Sequence, residues 1–308
     1  MQLVLTRWVS APTHTQVGLS RRVRPLTVLL LITIILGFAA QRASADEAET
    51  CSAACRCSVA RTRQQCAAEC SNFFVRSFLG GPNAADAAQH CEQVCARLRS
   101  DVFGVDERTR WQPKCNVVLH ATRQSYLNAV EHGGSQTIGS STISLSGGRV
   151  TQRRIDLLAV NPEQGLAALP HELVHVLFAD AFPTTAPPKW AEEGLALLMD
   201  PADKRARHAR DLDTAFHSRS TLPLTRLLVD ADYPAASQRA EFYAQSLSLV
   251  EYLTQLDSPK QFLRFVKLST EQGHDRALSA IYGMDRRELD RCWRQQASGI
   301  QLVSAESR

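Results

Sequence analysis

The chain has 308 residues, enough for one domain of ordinary size plus an appendage. Its net charge is only +4, and 30 of its 35 basic residues are Arg, a bias read as coding-sequence composition rather than nucleic-acid binding. No long internal repeat, phosphate-binding glycine loop or long low-complexity tract occurs, which excludes repeat arrays and nucleotide-cradling loops.

Arg21-Arg22-Val23-Arg24 precedes an apolar run of about a dozen residues within Pro25 to Ala40, and Ala43-Ser44-Ala45 follows. A positive region, an apolar run and a small-x-small site predict a signal peptide over 1–45, cleaved after Ala45. The protein is therefore expected to be exported, periplasmic or extracellular, with no stable membrane span after cleavage. The rival is an uncleaved leader acting as a membrane anchor, but the run is short against the roughly 20 residues of a spanning helix. No cysteine lies at the cleavage point, which argues against a lipoprotein. The long stretch before Arg21 is consistent with a start downstream of Met1.

Eight of the nine cysteines lie between Cys51 and Cys115. In an exported chain that density predicts a disulfide-rich helical segment over 46–110. Cys51-x3-Cys55, Cys66-x3-Cys70 and Cys91-x3-Cys95 would each put two sulfurs on one helix face. Two such helices would be laced by Cys51–Cys70 and Cys55–Cys66, in the manner of twin-Cx3C hairpins. Cys115 and Cys292 are expected to staple the following domain, and the odd count leaves one thiol free or intermolecular. A thiolate metal site is disfavoured, since paired short knuckles are missing. The segment reads first as a stabilising appendage and second as a binding module or prodomain-like cap.

Beyond it, Asn116 to His120 reads as a strand and Ser125 to Glu131 as a helix. Thr142 to Ser146 alternates, breaks at Gly147-Gly148, and leads to an apolar strand over Arg154 to Val160. A small twisted sheet would feed a buried helix through Asn161-Pro162.

That helix carries His171-Glu172-Leu173-Val174-His175. Residues four apart share a helix face, so His171 and His175 can offer two imidazoles to one metal ion. Glu172 beside them can accept a proton from a water that the ion activates. Zinc suits imidazole donors, and three protein ligands leave its fourth position open. A third ligand is needed, and the extended motif with a Gly and then a third His is absent, since those positions hold Phe178 and Ala181. A glutamate from the next helix is the alternative: Trp190-Ala191-Glu192-Glu193-Gly194-Leu195-Ala196 offers Glu192 and Glu193. Pro188 suits that helix's first turn, and Gly194 is expected to let it pack closely on the His-bearing helix.

These two segments resemble the gluzincin metallopeptidases of the peptidase MA-like type, whose hallmark is HExxH followed by Trp-x-x-Glu-Gly-x-Ala. The resemblance is sharp at these segments and weaker over the rest of Cys115 to Trp293. It implies an α+β, zincin-like catalytic domain over 111–298, with a tail at 299–308. It also implies one zinc ion per chain held by His171, His175 and Glu193, with Glu192 the runner-up, and Glu172 as general base. A peptide or protein substrate would lie against an edge strand, at 142–146 or 155–160.

After Asp200 the chain reads as helical. Lys204-Arg205-Ala206-Arg207-His208-Ala209-Arg210 reads first as a solvated helix face and second as a polyanion-binding patch. Arg239 to Leu253 is strongly patterned as a helix. Its Tyr243 is the candidate to stabilise the oxyanion, with His208 and His217 as alternatives, against the reading of a Tyr packed on the metal helices. Asp180 is a candidate acceptor for a ligand imidazole. Trp293, in a closing helix after the 281–285 turn, is expected in the core. The predicted activity is that of an exported zinc-dependent peptidase. The alternative is a non-hydrolytic, zinc-containing binding protein of the cell envelope.

Overall fold

The computed structural model describes residues 7–8, 58–61, 65–78, 83–106, 108–130, 137–160, 165–230 and 232–299. The leader's apolar run, its cleavage site, Cys51, Cys55, His132-Gly133-Gly134, Asn161-Pro162 and the tail beyond 299 lie outside these residues. No described helix is long and apolar enough to cross a membrane.

The fold is α+β. One mixed sheet has the order β1-β6-β7-β5-β4-β3-β2. Its strands are β1 (Arg7–Trp8), β2 (Ser58–Arg61), β3 (Gln65–Glu69), β4 (Phe73–Phe78), β5 (Cys115–His120), β6 (Gly139–Ser146) and β7 (Arg149–Leu158). β5 runs parallel to both β4 and β7, while β6 and β7 form an antiparallel hairpin. Gly147 and Gly148 turn that hairpin at φ 57° and 72°, a region where side chains are disfavoured.

This sheet corrects the reading of the cysteine-rich segment. Cys66 and Cys70 do not face each other along a helix: Cys66 lies in β3, which pairs antiparallel with β4. β4 shows strand periodicity, with Phe73, Val75 and Ser77 buried and the residues between them less so. Pairing of β4 with β5 carries the sheet across residue 110 without a break. Among the described residues the Cx3C pair that sits on a helix is Cys91 and Cys95, on α1 (Ala84–Arg97), which Asn83 caps by accepting from the Ala85 N–H.

Two of the expected disulfides do not form here, and the third, Cys51–Cys70, involves Cys51, which lies outside the described residues. Cys66, Cys91, Cys95, Cys115 and Cys292 are free thiols, so neither Cys55–Cys66 nor Cys115–Cys292 is present. Cys91, Cys95 and Cys115 are fully buried in the core and act as small apolar side chains. Burial pushes the Cys95 thiol up to about 12 and the other two higher still, which keeps them unreactive.

The helices that matter to the site follow the sheet. α2 (Arg123–Ala129) connects β5 to β6, then come α3 (Leu169–Ala181), α4 (Lys189–Leu198), α5 (Ala202–Ser218), α6 (Leu224–Val229) and α7 (Arg239–Leu256). α8 (Pro259–Gln272), α9 (His274–Tyr282) and α10 (Arg286–Ala297) close the domain, and Trp293 on α10 is fully buried as expected. α3 begins on Pro170 in its first turn and is buried from His171 through Phe178. It packs on β6 and β7 on one side and on α4 on the other. Polar groups on such a helix face protein rather than water, and His171, Glu172 and His175 are the ones it carries.

Gly194 serves a different contact from the expected one. A Cβ there would stand 2.4 Å from the Ser246 carbonyl oxygen and 2.5 Å from Val250 Cγ2. Both belong to α7, so the glycine seats α4 on α7 and not on the His-bearing α3.

Candidate metal centre

His171 and His175 project from one face of α3 with ring centroids 5.1 Å apart. Glu193 reaches them from α4. One donor atom from each of the three lies within 4.8 Å of the others, and all three residues are buried. Among the described residues this is the group that could hold a metal ion.

The surroundings fix which atoms face inward. His175 Nδ1 lies 2.9 Å from Glu192 Oε1, and His171 Nδ1 lies 3.4 Å from Asp200 Oδ2. With each Nδ1 directed to a carboxylate, Nε2 of each ring is the remaining donor. Glu193 accepts a hydrogen bond from the Tyr233 hydroxyl on Oε1, and its Oε2 is buried with no hydrogen-bond partner. An orphaned oxygen on a carboxylate that converges with two imidazoles fits a metal, since leaving such an atom unpaired costs about 1–3 kcal/mol. Two nitrogens and one oxygen are a donor set that zinc accepts.

Charge is distributed accordingly. Burial alone would lower the His171 pKa, but Asp200 outweighs it and pushes the group up to about 9. His175 is lowered, first by burial. Burial pushes Glu192 up to about 8 against the pull of Lys189, so Glu192 and His175 Nδ1 share a proton that metal binding would place on the ring. Burial also raises the Glu172 carboxyl above its ordinary range, opposed by His171 and His175.

Glu172 lines a cavity of about 240 Å³ that also takes in His171, Glu193 and Tyr243. Gly139 of β6 makes room for it: a Cβ there would stand 2.7 Å from Glu172 Oε1 and 3.0 Å from Ala168 Cβ. Tyr243 is buried on α7, its ring 6.3 Å from Tyr233 and 6.4 Å from His208. His208 lines the cavity as well. His217 does not: it is exposed and bonded to the Asp213 carbonyl.

Two sequence readings are corrected here. Asp180 orients no imidazole; it accepts from the Trp111 indole and from Arg153, at the far end of α3. That positioning role falls to Asp200 and Glu192, so Glu192 supports His175 from its Nδ1 side instead of competing for the third ligand position. Tyr233 and Gly139 were not anticipated. Each lies more than thirty residues from its carboxylate in sequence, and only the fold brings them together.

A comparison with curated proteins finds none that matches. A family model described as Peptidase MA superfamily matches residues 146–299, half of the chain.

Proposed function

We propose that this chain, which belongs to the peptidase MA superfamily, is a zinc-dependent peptidase of the gluzincin type. The observation that carries the reading is the buried convergence of His171, His175 and Glu193 around an orphaned carboxylate oxygen, with Glu172 beside it in one cavity. When bound, the ion would supply Lewis-acid activation of a water and of the substrate carbonyl.

The chain's own residues supply the rest. His171 and His175 offer Nε2, each held in orientation by Asp200 or Glu192 through Nδ1. Glu193 closes the ligand set, steadied by Tyr233. Glu172 takes the proton of the attacking water and hands it to the departing amine. Its burial suits that exchange, because a raised carboxyl pKa brings base and acid forms closer to neutral pH. Tyr243, which lines the same cavity, would donate its hydroxyl to the carbonyl oxygen as charge develops there.

β6 is the strand for the substrate. β7 has β6 on one side and β5 on the other, so it has no open edge, whereas the outer edge of β6 pairs, among the described residues, with Arg7–Trp8 alone. An edge that accepts one extended strand can accept a peptide by the same backbone pairing. The pattern over residues 1–45 supports export as the setting.

The test is metal content together with cleavage of a peptide library by the mature chain and its Glu172→Gln variant. About one zinc per chain in both is expected, with chelator-sensitive cleavage in the wild type only. Cleavage by Glu172→Gln at the wild-type rate would overturn the role of Glu172. Metal without any cleavage in the wild type would leave a zinc-containing binding protein.

A further inference from the structure

The fold divides the basic run at the start of α5. Lys204, Arg207 and His208 line the metal cavity, whereas Arg205 lines a second cavity of about 370 Å³ between α5, α7 and α10. That volume falls within the roughly 300–1,000 Å³ of sites that enclose small ligands. Arg205 and Leu212 on α5, Leu247 and Glu251 on α7, and Trp293 on α10 line it from three sides, each helix contributing one face. The two cavities share no lining residue, and neither holding a metal nor moving a proton uses the second.

Its lining is an apolar floor with two charges. Leu212, Leu247 and Trp293 are buried, and the Trp293 indole is fixed by donating to Ser248 Oγ at 3.1 Å. Arg205 Nε is buried with no hydrogen-bond partner. Among the described residues neither the Arg205 guanidinium nor the Glu251 carboxylate has a hydrogen bond or ion pair, with each other or with a neighbour. An unpaired cation and an unpaired anion over apolar side chains narrow the occupant by charge. A simple anion would satisfy Arg205 and meet like charge at Glu251, and a simple cation would do the reverse. A neutral apolar molecule would cover the floor and desolvate both charges without pairing either. A zwitterion with an apolar body satisfies all three surfaces.

We propose that this cavity is a second binding site, for a short apolar peptide with both termini free. The terminal carboxylate sits on Arg205, whose planar guanidinium matches it with two parallel hydrogen bonds. The terminal ammonium sits on Glu251, and the side chains cover Leu247 and Trp293. Two residues of extended chain span about 7 Å, so a dipeptide holds its termini apart, as two charges that do not pair with each other require. The site stands apart from the peptidase reading, since none of its residues belongs to the metal cavity.

The test is isothermal titration calorimetry of the mature Glu172→Gln chain, supplied with zinc, against Leu-Leu, N-acetyl-Leu-Leu and Leu-Leu amide. Leu-Leu is expected to bind about fivefold more tightly than either capped form, as for partly exposed charge pairs. Adding Arg205→Gln should make Leu-Leu and its amide bind alike, and adding Glu251→Gln should do the same for Leu-Leu and its acetylated form. Arg210→Gln, at an exposed position of the same helix that lines neither cavity, should leave the order in place. Glu193→Gln, which disables the metal cavity, should leave Leu-Leu binding in place as well. No binding of Leu-Leu, equal binding of the three peptides, or an order that Arg205→Gln leaves unchanged would each overturn the site. Loss of binding in Glu193→Gln would overturn it too, by placing the peptide in the metal cavity.

Discussion

The two ends of α3 both carry ionic chemistry, and they differ in whether the carboxylates there are satisfied. At the C-terminal end Asp180 has both oxygens taken, one by the Trp111 indole and the other by Arg153. The Arg99 and Arg153 guanidinium carbons lie 4.5 Å and 5.1 Å from the centre of the Trp111 ring. Trp111 is anchored in turn to Asn72, just before β4, so this end ties α3 to the N-terminal strands. Toward the N-terminal end, Glu192 and Glu193 each keep a buried Oε2 with no hydrogen-bond partner beside two imidazoles. A carboxylate with both oxygens paired stabilises the fold, whereas one with an orphaned buried oxygen costs free energy until something arrives to pair it. One end is a clamp and the other a receptor.

The largest expected effect comes from changing the receptor. Glu193→Gln keeps the size of the side chain and an oxygen for Tyr233 but removes the charge, so bound zinc should fall from about one per chain toward none, with loss of activity. Stoichiometric zinc in that variant would break the assignment of this end. Gly139→Ala should come next. Its Cβ would fall 2.7 Å from Glu172 Oε1, and a flexible side chain can yield at little cost to folding. Catalysis is less forgiving, because displacing a reacting group by about 1 Å costs on the order of 10²-fold. The expected result is a drop of that size in kcat with zinc content and unfolding temperature nearly unchanged.

The same contrast explains what could be read from the residues alone. His171, Glu172 and His175 are legible because one helical turn fixes their relation, while the choice of Glu193 over Glu192 comes only from the resemblance of its segment to a family pattern. The partners that finish the site come from elsewhere: Asp200 after α4, Tyr233 ahead of α7, Gly139 at the start of β6. Each is an ordinary residue type at an uninformative spacing. Asp180 was a reasonable candidate by nearness in sequence, but it lies beyond the last turn that faces the cavity, where Trp111 and Arg153 claim it. The cysteines mislead for the opposite reason. A spacing of four holds for Cys91 and Cys95 because Asn83 and the Ala-rich turn after it start a helix. The same spacing at Cys66 and Cys70 is overridden by pairing with Phe73 to Phe78.

Breaking the clamp should be milder than breaking the receptor. Asp180→Asn removes the charge opposite Arg153, whose side chain is 6% exposed, while that of Asp180 is 28% exposed. Water at Asp180 reduces the effect below that of a fully enclosed pair, so about 1–3 kcal/mol of stability should be lost in a urea titration. Zinc content should stay at one per chain. Loss of zinc in this variant would mean that the two ends of α3 are not separable.

The smallest expected signal is a change in acid sensitivity at Asp156, a second closed carboxylate. His120 Nε2 lies 2.8 Å from its Oδ1, and Arg154 donates to both oxygens at 2.7 Å. Burial alone would raise this carboxyl, but the Arg154 and His120 hydrogen bonds outweigh it and hold the group below its ordinary range. A group lowered on folding binds its proton more weakly in the folded chain than in the unfolded one. Its contribution is therefore complete above the unfolded value of about 4 and is lost as pH falls below that. Asp156→Asn should lower stability at neutral pH and flatten the decline below about pH 4, read as a shallower dependence of the urea midpoint on pH. An unchanged slope would mean that closure of the network, seen here in all three hydrogen bonds, does not carry over into how the carboxylate titrates.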